Sequence, residues 1–464
     1  MIHKRYIWLL ALLTLAAACR ITQPYRSPEI NTNGLYRDQP NGDTNTIAAR
    51  PWQSFFTDTA LQRLIARGIR ENLDLRIAMQ RIIAAQAALK QSRLAFLPDV
   101  NANASVKESR LAFPQGYGLI TTATQYDVNV AASWEADIWG KLRSGKRAAQ
   151  AALLGTVAAQ QAIQSSLIAD IAASYYTLLA LDQQLQVLRQ TLANRGEDVS
   201  SMKELKASGI VNGAAVVQSE ANQYAAAVAI PDVKRQIRET ENALSILLAL
   251  PPGPIARGNM PAQQVPQNLS TGVPAQLLQY RPDVKAAEYA FRNAFENTNI
   301  ARTAFYPSLN ITAASGFTSF DFSQWFTDAG LFGNIVGGLT QPIFNRGLNK
   351  ARLTAAQAKQ QEALYNFNKT MLTAGKEVSD ALYSLTSASE KKESREKQLA
   401  SLEKAVDFTK ELLKYSSSTN YTDVLTSEQH LLSAQIGSIN DQLQQWQAVI
   451  ALYRALGGNY DEHD

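Results

Sequence analysis

The side chains that most often carry out chemistry in proteins are scarce in this 464-residue sequence. It contains three histidines, His3, His430 and His463, and a single cysteine, Cys19. A His/Cys metal site needs three or four such ligands close together, and a disulfide needs two cysteines. No Ser/His/Asp cluster, phosphate-binding loop or paired-acid site stands out either. The residue types therefore argue against an enzyme and against a bound cofactor.

Cys19 is the one residue whose setting indicates a covalent reaction. It follows the basic segment His3-Lys4-Arg5 and an apolar run over residues 6–18 that is too short to span a bilayer. The three alanines directly before it resemble a bacterial lipobox, in which the cysteine thiol is acylated and the leader is removed. We therefore expect a lipoprotein signal peptide over residues 1–18 and a lipid on Cys19. The alternative is a soluble secreted protein with a chance cysteine.

The composition narrows the class of protein further. Charged residues make up 18% of the chain and apolar residues 46%, with a net charge of +5. This apolar fraction is too high for a disordered chain, and the small, scattered positive excess does not suggest a nucleic-acid surface. The composition favours a chain with much buried or membrane-facing surface.

The sequence contains two copies of one unit. Residues 72–78 (NLDLRIA) align with residues 281–287 (RPDVKAA), and residues 93–98 (RLAFLP) align with residues 302–307 (RTAFYP), both 209 positions later. Further matches follow at nearly the same offset. We predict repeats over residues 58–250 and 275–458, joined by a proline-rich linker (251–274). A lipidated tether (19–57) precedes them and a polar tail (459–464) follows.

Within each repeat the pattern predicts a helix, two strands, a very long helix, a turn and a returning helix. The first helix is expected over about 58–95, with Thr57 or Asp58 as its N-cap. The proline-free segment at about 141–207 would be on the order of 100 Å long as a helix and carries a 3-4 leucine seam. Pro231 should kink the first returning helix.

Four segments show the two-residue alternation of β-strands, at about 99–112, 124–138, 308–320 and 331–344. Segments of about ten residues with this pattern are typical of transmembrane strands. Four strands cannot close a barrel, and open edges are not tolerated in hydrocarbon, so several chains would have to complete it. Two copies would give a filled eight-stranded barrel and three a twelve-stranded barrel with a lumen. The alternative is an ordinary half-buried sheet on a soluble coiled-coil protein.

Several motifs together resemble the TolC-like outer-membrane efflux proteins, in particular the lipidated channel subunits of resistance-nodulation-division pumps. They are residues 52–58 (WQSFFTD), 139–143 (WGKLR), 281–288 (RPDVKAAE), 420–425 (NYTDVL) and 453–458 (YRALGG). The resemblance implies a mostly α fold with a membrane β-barrel portion. It also implies a homotrimer with twelve strands and a twelve-helix periplasmic tunnel, lipid-anchored in the outer membrane.

The function implied is a passive conduit for small molecules in a tripartite efflux system, without enzymatic activity or cofactor. The partners would be further copies of the chain, a periplasmic adaptor, an inner-membrane transporter and outer-membrane lipid. Type I protein secretion through the same architecture is an alternative, and a soluble periplasmic coiled-coil lipoprotein is another.

The resemblance also assigns candidate roles near the second turn, residues 417–427. Asp423 stands where some members carry a gating acid, and Thr426 stands where many carry another acid. The gate would therefore be a single ring of Asp423, or one that relies on Thr426 and Tyr421. Three symmetric carboxylates in a narrow ring would bind cations and repel one another. The alternative for Asp423 is to cap the returning helix.

Three further sets of residues complete the sequence-based expectations. Candidates for docking an adaptor at the two turns are Gly209, Asn212, Gly213, Thr419 and Asn420, the alternative being simple turns without a partner. Candidates for the membrane-interface aromatics are Trp134, Trp139, Phe320 and Trp325, the alternative being packing between subunits. The motif Arg281-Pro282-Asp283 is expected to start a helix and to have no catalytic role.

Overall fold

The computed structural model describes residues 21–29, 34–37, 50–110, 112, 122–260, 276–415 and 421–458. Cys19, Thr419, Asn420, the expected leader and the polar tail lie outside these residues. The chain divides into two compact units. The sheet unit comprises Met1–Glu29, Arg81–Val157 and Ala286–Phe367, and the helical unit comprises Ile30–Gln80, Ala158–Lys285 and Asn368–Asp464.

The fold is mostly helical and follows the duplicated order expected from the sequence. The first half contains α1 (Trp52–Phe55), α2 (Thr59–Glu71), α3 (Leu73–Leu94), β1 (Asp99–Arg110), β2 (Thr122–Ala136), α4 (Lys141–Ala207) and α5 (Gly213–Leu247). The second contains α6 (Leu277–Tyr280), α7 (Pro282–Thr303), β3 (Ser308–Ser319), β4 (Leu331–Thr340), α8 (Leu348–Tyr415) and α9 (Tyr421–Ala455). Two short 3-10 turns, Phe322–Gln324 and Asp328–Gly330, connect β3 to β4.

The single helix expected over residues 58–95 is wrong, because the chain breaks at Asn72. Asn72 has ψ 132°, outside the helical region, and separates α2 from α3. Its side-chain oxygen accepts hydrogen bonds from the backbone N–H groups of Asp74 (2.9 Å) and Leu75 (3.1 Å), so it caps α3. Asp58 is the N-cap of α2, as one of the two expected residues, and accepts from Ala60 N at 2.7 Å.

The long helices are the dominant elements. α4 has 67 residues and α8 has 68, so each is roughly 100 Å long at 1.5 Å per residue. The returning helices α5 and α9 have 35 residues each, and α5 is helical through Pro231. The expected seam is buried where Leu181, Leu185 and Leu188 of α4 pack with Val233 of α5. Among the described helices, none is both long enough and apolar enough to cross a membrane.

The described N-terminal residues 21–29, part of the expected tether, have no helix or strand and dock on α7. The Gln23 N–H donates to Asn299 Oδ1, and Asn299 Nδ2 donates to Gln23 O, each at 3.0 Å. The Tyr25 ring packs on Phe295 with 5.6 Å between ring centroids. Asn299 itself is buried on α7. The composition alone missed this segment's docking because its partners lie more than 250 residues away in the sequence.

The four strands form one antiparallel sheet in the order β1-β2-β3-β4. The register is regular: Ala104 pairs with Val128, Val128 with Phe317, and Phe317 with Leu331. β4 ends at Thr340, four residues before the expected end, and the residues that follow include Pro342. A proline cannot donate the ladder hydrogen bond that a further pair would need.

Candidate functional site

The sheet has one apolar and one polar face, because the alternation of all four strands is in phase. Residues that pair across strands project to the same face, so the register fixes both sets. The apolar face carries Val100, Ala102, Ala104, Val106, Tyr126, Val128, Val130, Ala132, Trp134, Leu309, Ile311, Ala313, Ser315, Phe317, Leu331, Gly333, Ile335, Gly337 and Leu339. Ser315 lies within this apolar band, and beyond Val106, Tyr126 and Phe317 the same face becomes polar, with Glu108, Arg110, Thr122, Thr124 and Ser319.

The opposite face is mainly polar. It carries Asn101, Asn103, Ser105, Lys107, Asp127, Asn129, Ala131, Ser133, Glu135, Asn310, Thr312, Ala314, Gly316, Thr318, Phe332, Asn334, Val336, Gly338 and Thr340. The Asn103 amide donates to Asn129 Oδ1 at 3.3 Å across β1 and β2. Such a sheet can separate an apolar medium from water.

Both outer strands have a free edge among the described residues. β1 pairs only with β2, and β4 pairs only with β3. The apolar side chains near these edges are exposed, for example Val100 at 60% and Ile335 at 80%. Unpaired backbone groups at a strand edge are a template for pairing with another strand.

Gly316 permits the close approach of β3 to β2, the strands that join the two halves of the chain. A Cβ at this position would lie 2.1 Å from Val128 O and 2.5 Å from Asn129 Cα. Real Cβ atoms do not come this close to backbone, so no other residue fits without moving a strand. Gly333, on β4, has its nearest such neighbour, Ser315 Oγ, at 3.8 Å.

Aromatic side chains mark both ends of the sheet. At the end with the β3–β4 connection, Trp325 stacks on Phe326 with centroids 4.9 Å apart and packs on Tyr126 at 5.4 Å. Phe320 is 71% exposed there. At the other end lies Trp134, eight residues after Tyr126 along β2, which is roughly 27 Å. This separation is close to the roughly 25 Å apolar band of outer-membrane barrels.

Two tryptophans at the end of the sheet opposite the β3–β4 connection donate hydrogen bonds to backbone carbonyl groups. Trp134 Nε1 donates to Phe96 O at 2.9 Å, and Trp139 Nε1 donates to Pro307 O at 2.6 Å. The Trp139 ring packs on Tyr306 with 5.3 Å between centroids. Each indole therefore places its apolar body beside the sheet and its N–H on a polar group, as interfacial tryptophans do.

The first turn between long helices is a compact reversal. Gly209 has φ +78°, and the hydrogen bonds Gly209 N to Lys206 O and Ile210 N to Leu205 O close a Schellman motif. Asn212 caps α5 by accepting from Ala215 N at 3.1 Å, and Gly213 begins that helix. The turn presents the exposed side chain of Ile210.

At the start of α9 the structure separates Tyr421 from the other gate candidates. Tyr421 is 6% exposed and packs with Met202, Val216 and Val424, so its ring belongs to the core. Burial raises its pKa. Asp423 and Thr426 lie on the exposed face of the same helix. Asp423 is in the first turn, where its charge also suits the helix dipole.

A half-buried group of ion pairs next to this turn was not predicted from the sequence. Lys410 Nζ of α8 lies 3.2 Å from Asp198 Oδ1 of α4 and 2.6 Å from Glu428 Oε1 of α9. Burial raises the pKa of Glu428; Lys410 opposes that shift and Asp198 adds to it. Burial disfavours the charge of Lys410, but Glu428 and Asp198 outweigh it and raise its pKa. The sequence signal was limited to the repeat, in which Glu428 aligns with Glu220, 208 positions earlier.

Arg281, just before α7, is buried and is the centre of a second ion-pair network. Its guanidinium binds Asp283 and Glu377 and donates to Ala455 O at 3.0 Å. Pro282 is the first residue of the helix, as expected. The motif therefore starts the helix, as expected, and ties it to α8 and α9. The described residues also contain no cluster of three or more His, Cys, Asp or Glu side chains suited to holding a metal ion.

The comparisons with known proteins agree with this geometry. The family model of the outer membrane efflux proteins matches residues 64–250 and 273–458. The chain is 30% identical over 468 residues to the toluene efflux pump outer membrane protein TtgI of Pseudomonas putida, covering 97% of both chains. It is 27% identical over 452 residues to the probable outer membrane lipoprotein SilC of Salmonella typhimurium, again covering 97% of both.

A solved structure has the same fold. The crystal structure of a membrane protein from Pseudomonas aeruginosa superposes with a TM-score of 0.86 at 26% identity, covering 95% of this chain and 100% of that one. The resemblance drawn from the sequence motifs is therefore confirmed. The family consists of efflux channels, not enzymes. The chain belongs to the outer membrane efflux protein family and is the outer-membrane component of an efflux system.

Proposed function

We propose that three copies of this chain assemble into a passive trimeric conduit, which carries small molecules from an inner-membrane transporter and a periplasmic adaptor to the exterior. The observation that supports this most strongly is the sheet. It has an apolar face between two aromatic ends, a polar face, and two free edges.

The free edges require sister chains if the sheet lies in a membrane. Hydrocarbon offers no hydrogen bonds, so each unpaired backbone group in it costs several kcal/mol. β4 of one copy would pair with β1 of the next. Two copies would give eight strands and a filled interior, whereas three would give twelve strands and leave a lumen lined by the polar face. The trimer therefore accounts for both the polar face and the conduit.

The helical unit would form the periplasmic tunnel, with its two turns towards the partners. The adaptor candidates at the first turn, Gly209, Asn212 and Gly213, lie in an exposed reversal. Thr419 and Asn420 remain candidates from the sequence alone. No reaction is needed for transport, because the transporter would supply the energy.

Cys19 would carry the lipid that anchors the N-terminus in the outer membrane. The relative SilC is named a lipoprotein, which supports this expectation. Mass spectrometry of the protein from membranes should show an acylated N-terminal cysteine. A Cys19→Ser variant should lack the modification, while an unmodified wild-type Cys19 would contradict the proposal.

The cargo is best described as small molecules, without a named compound. Relatives of similar identity are named for toluene efflux and for cation efflux, two very different chemistries. A watery lumen places few specific demands on its lining. The same names favour efflux over the alternative of protein secretion.

Asp423 and Thr426 would line the gate, whereas Tyr421 would hold the turn together from the core side. Purified protein in planar lipid bilayers tests the conduit and the gate together. We expect discrete channel currents, with more frequent or larger openings for Asp423→Ala, because a ring of three carboxylates is removed. The matched control is Asp232→Ala, an exposed carboxylate on α5. No currents at all would contradict the conduit, and unchanged currents in Asp423→Ala would leave that residue as a helix cap.

A further inference from the structure

A cavity of about 380 Å³ lies between α4, α8 and α9 inside the helical unit. This volume falls within the range of small-molecule sites, which is roughly 300–1,000 Å³. All of its lining residues belong to these three helices of one chain. The cavity is therefore a possible ligand site that needs no second copy, and its wall indicates which chemistry it would accept.

Arg195 of α4 is the unusual residue of this wall, because its charge is buried without a counter-ion. The residue is 8% exposed, and its Nη1 donates to Asn222 O at 2.6 Å. Within the part of the chain that the structure describes, Nε has no hydrogen-bond partner and no carboxylate forms an ion pair with the guanidinium. Arginine stays charged in proteins, and a buried charge without a partner is costly. An anion beside Arg195 would remove that cost.

The other two charges of the wall already have partners. Lys410 Nζ lies 2.6 Å from Glu428 Oε1, and both residues line the cavity. Lys410 also lies 3.2 Å from Asp198 Oδ1, and Asp198 is outside the lining. The uncompensated positive charge at the cavity therefore belongs to Arg195.

The rest of the wall combines aliphatic and amide side chains. Its aliphatic part is formed by Val187, Val406, Leu431 and Leu432. Among its amides, Gln183 Oε1 is buried and has no hydrogen-bond partner among the described residues. An inorganic ion would leave the aliphatic wall without contacts, whereas an uncharged apolar molecule would leave Arg195 unpaired. The wall thus favours a ligand with both an acidic group and an apolar body.

From these observations we propose that the cavity binds a small organic anion, with its acidic group on Arg195 and an aliphatic body against Val187, Val406 and Leu432. A carboxylate suits this role, because charge-assisted hydrogen bonds from a guanidinium are among the strongest in proteins. Gln183 Oε1 would accept a hydrogen bond from a hydroxyl or amine group of the same ligand. Such a ligand would join α4 to α8 and α9.

Calorimetric titration of the full-length protein in detergent tests the site, with cyclohexanecarboxylate as the probe and empty micelles as the blank. We expect saturable binding at one site per chain. Cyclohexanecarboxamide has a similar shape without the charge, and sulfate has charge without the apolar body. Each should bind more weakly by roughly tenfold or more, because each loses one of the two sets of contacts.

Two variants remove the two features of the site separately. Arg195→Met keeps an apolar stem but removes the charge, and it should weaken probe binding by roughly tenfold or more. Thr191→Phe keeps Arg195 and fills the cavity, so it should weaken binding as well and decides the matter if Arg195→Met does not fold. The matched control is Arg189→Met, because Arg189 is an exposed arginine of α4 outside the cavity lining. Circular dichroism shows whether each variant is folded.

Weaker binding in Arg195→Met and Thr191→Phe, with wild-type binding in Arg189→Met, would support the site. The proposal would be overturned if the wild type shows no saturable binding, or if folded Arg195→Met or Thr191→Phe binds the probe as tightly as the wild type. Equal affinity for sulfate or for cyclohexanecarboxamide would also overturn it, since the acidic group and the apolar body are both required. None of these results bears on the proposed conduit, because the cavity lies within one chain.

Discussion

Both halves of the chain tie the end of the returning helix to the start of a shorter helix, but they use different side chains to do so. Asn72 begins α3 in the first half, and Arg281 occupies the position 209 residues later, just before α7. Asn72 Nδ2 donates to Leu247 O, at the end of α5, and Arg281 donates to Ala455 O, at the end of α9, both at 3.0 Å. The duplicated contact is therefore conserved inside the molecule, although an amide makes one copy and a guanidinium the other.

The surroundings explain why the two residues differ. Asn72 is neutral, 3% exposed, and completes its hydrogen bonds with two helix N–H groups. Arg281 is 6% exposed and carries a charge that Asp283 and Glu377 balance. The second half thus holds the returning helix with a charged network, and the first half holds it with a cap. A charged network is more costly to break, since one removed partner leaves another charge without compensation.

The largest effect is expected from Arg281→Ala. The substitution leaves Ala455 O without its donor and Glu377 without its cation, which should cost roughly 3–5 kcal/mol of stability. The measurement is the midpoint temperature of helix loss by circular dichroism in detergent. Asp283→Asn, which keeps the arginine and its bond to Ala455 O, should cost clearly less. Equal losses in the two variants would show that the bond across to α9 contributes little.

A smaller loss of stability is expected from Gly316→Ala, which lies where β3 of the second half pairs with β2 of the first. Gly316→Ala forces a Cβ against Val128 O, and such overpacking typically costs about 1–3 kcal/mol. The yield of channel inserted in membranes should fall, and Gly333→Ala on β4 is the matched control with open space. A Gly316→Ala protein that inserts as well as Gly333→Ala would show that β2 and β3 do not pair in this register.

Asn72→Ala should be milder than Arg281→Ala, at about 2 kcal/mol. It removes an N-cap, worth about 1 kcal/mol, and one buried hydrogen bond of similar worth. Asn72→Asp restores the acceptor that caps α3 but not the donor to Leu247 O, so it should recover part of the loss. If Asn72→Asp is no more stable than Asn72→Ala in the same thermal assay, the N-cap hydrogen bonds to α3 contribute little to the stability of the protein.

The ion pairs near the two turns also differ, because the pair of the second half is the more buried. The Lys203–Glu220 pair of the first half is the more exposed, at 58% and 34%, whereas Lys410 and Glu428 of the second half are 35% and 12% exposed. The pKa of Glu428 is raised above its usual 4.5, chiefly by burial. The folded state then holds this proton more tightly than the unfolded state. Its contribution to stability is full below pH 4.5 and is lost as the pH rises through the raised value.

This gives the smallest of the expected effects, a difference in pH dependence. The thermal midpoint of Glu428→Gln should fall less than that of the wild type as the pH rises from 4.5 towards neutral. Glu220→Gln, the aligned residue of the first half, should follow the wild-type curve. Parallel curves for all three proteins would mean that Glu428 does not titrate differently in the folded state.

Local signals in the sequence were enough for the elements but not for their long-range partners. The absence of proline predicted the long helix α4, and two-residue alternation predicted four strands within a few residues of their ends. The break at Asn72 was missed because the apolar periodicity continues across it, and only the structure shows its bond to Leu247 O. The sequence likewise gave no hint that Lys410 meets Asp198, 212 residues earlier. Which charges are buried together depends on how the long helices pair.

For the candidate site residues, too, the sequence identified the positions but not the contacts that they make. The resemblance of the motifs pointed to the turn near Asp423, and the structure then placed Asp423 and Thr426 on the exposed face. It placed Tyr421 in the core, which spacing alone could not show, because position in a helix gives a direction only when the packing partners are known. The aromatic residues near strand ends were found from sequence, whereas their hydrogen bonds to Phe96 O and Pro307 O were not.

The most direct test of the account is the number of chains in the membrane-extracted particle. Native mass spectrometry of the detergent-solubilised protein should give a single assembly of three chains, because only sister copies can pair the free edges of β1 and β4. A folded single chain that stays soluble without detergent, with its apolar sheet face covered by its own residues, would contradict the account.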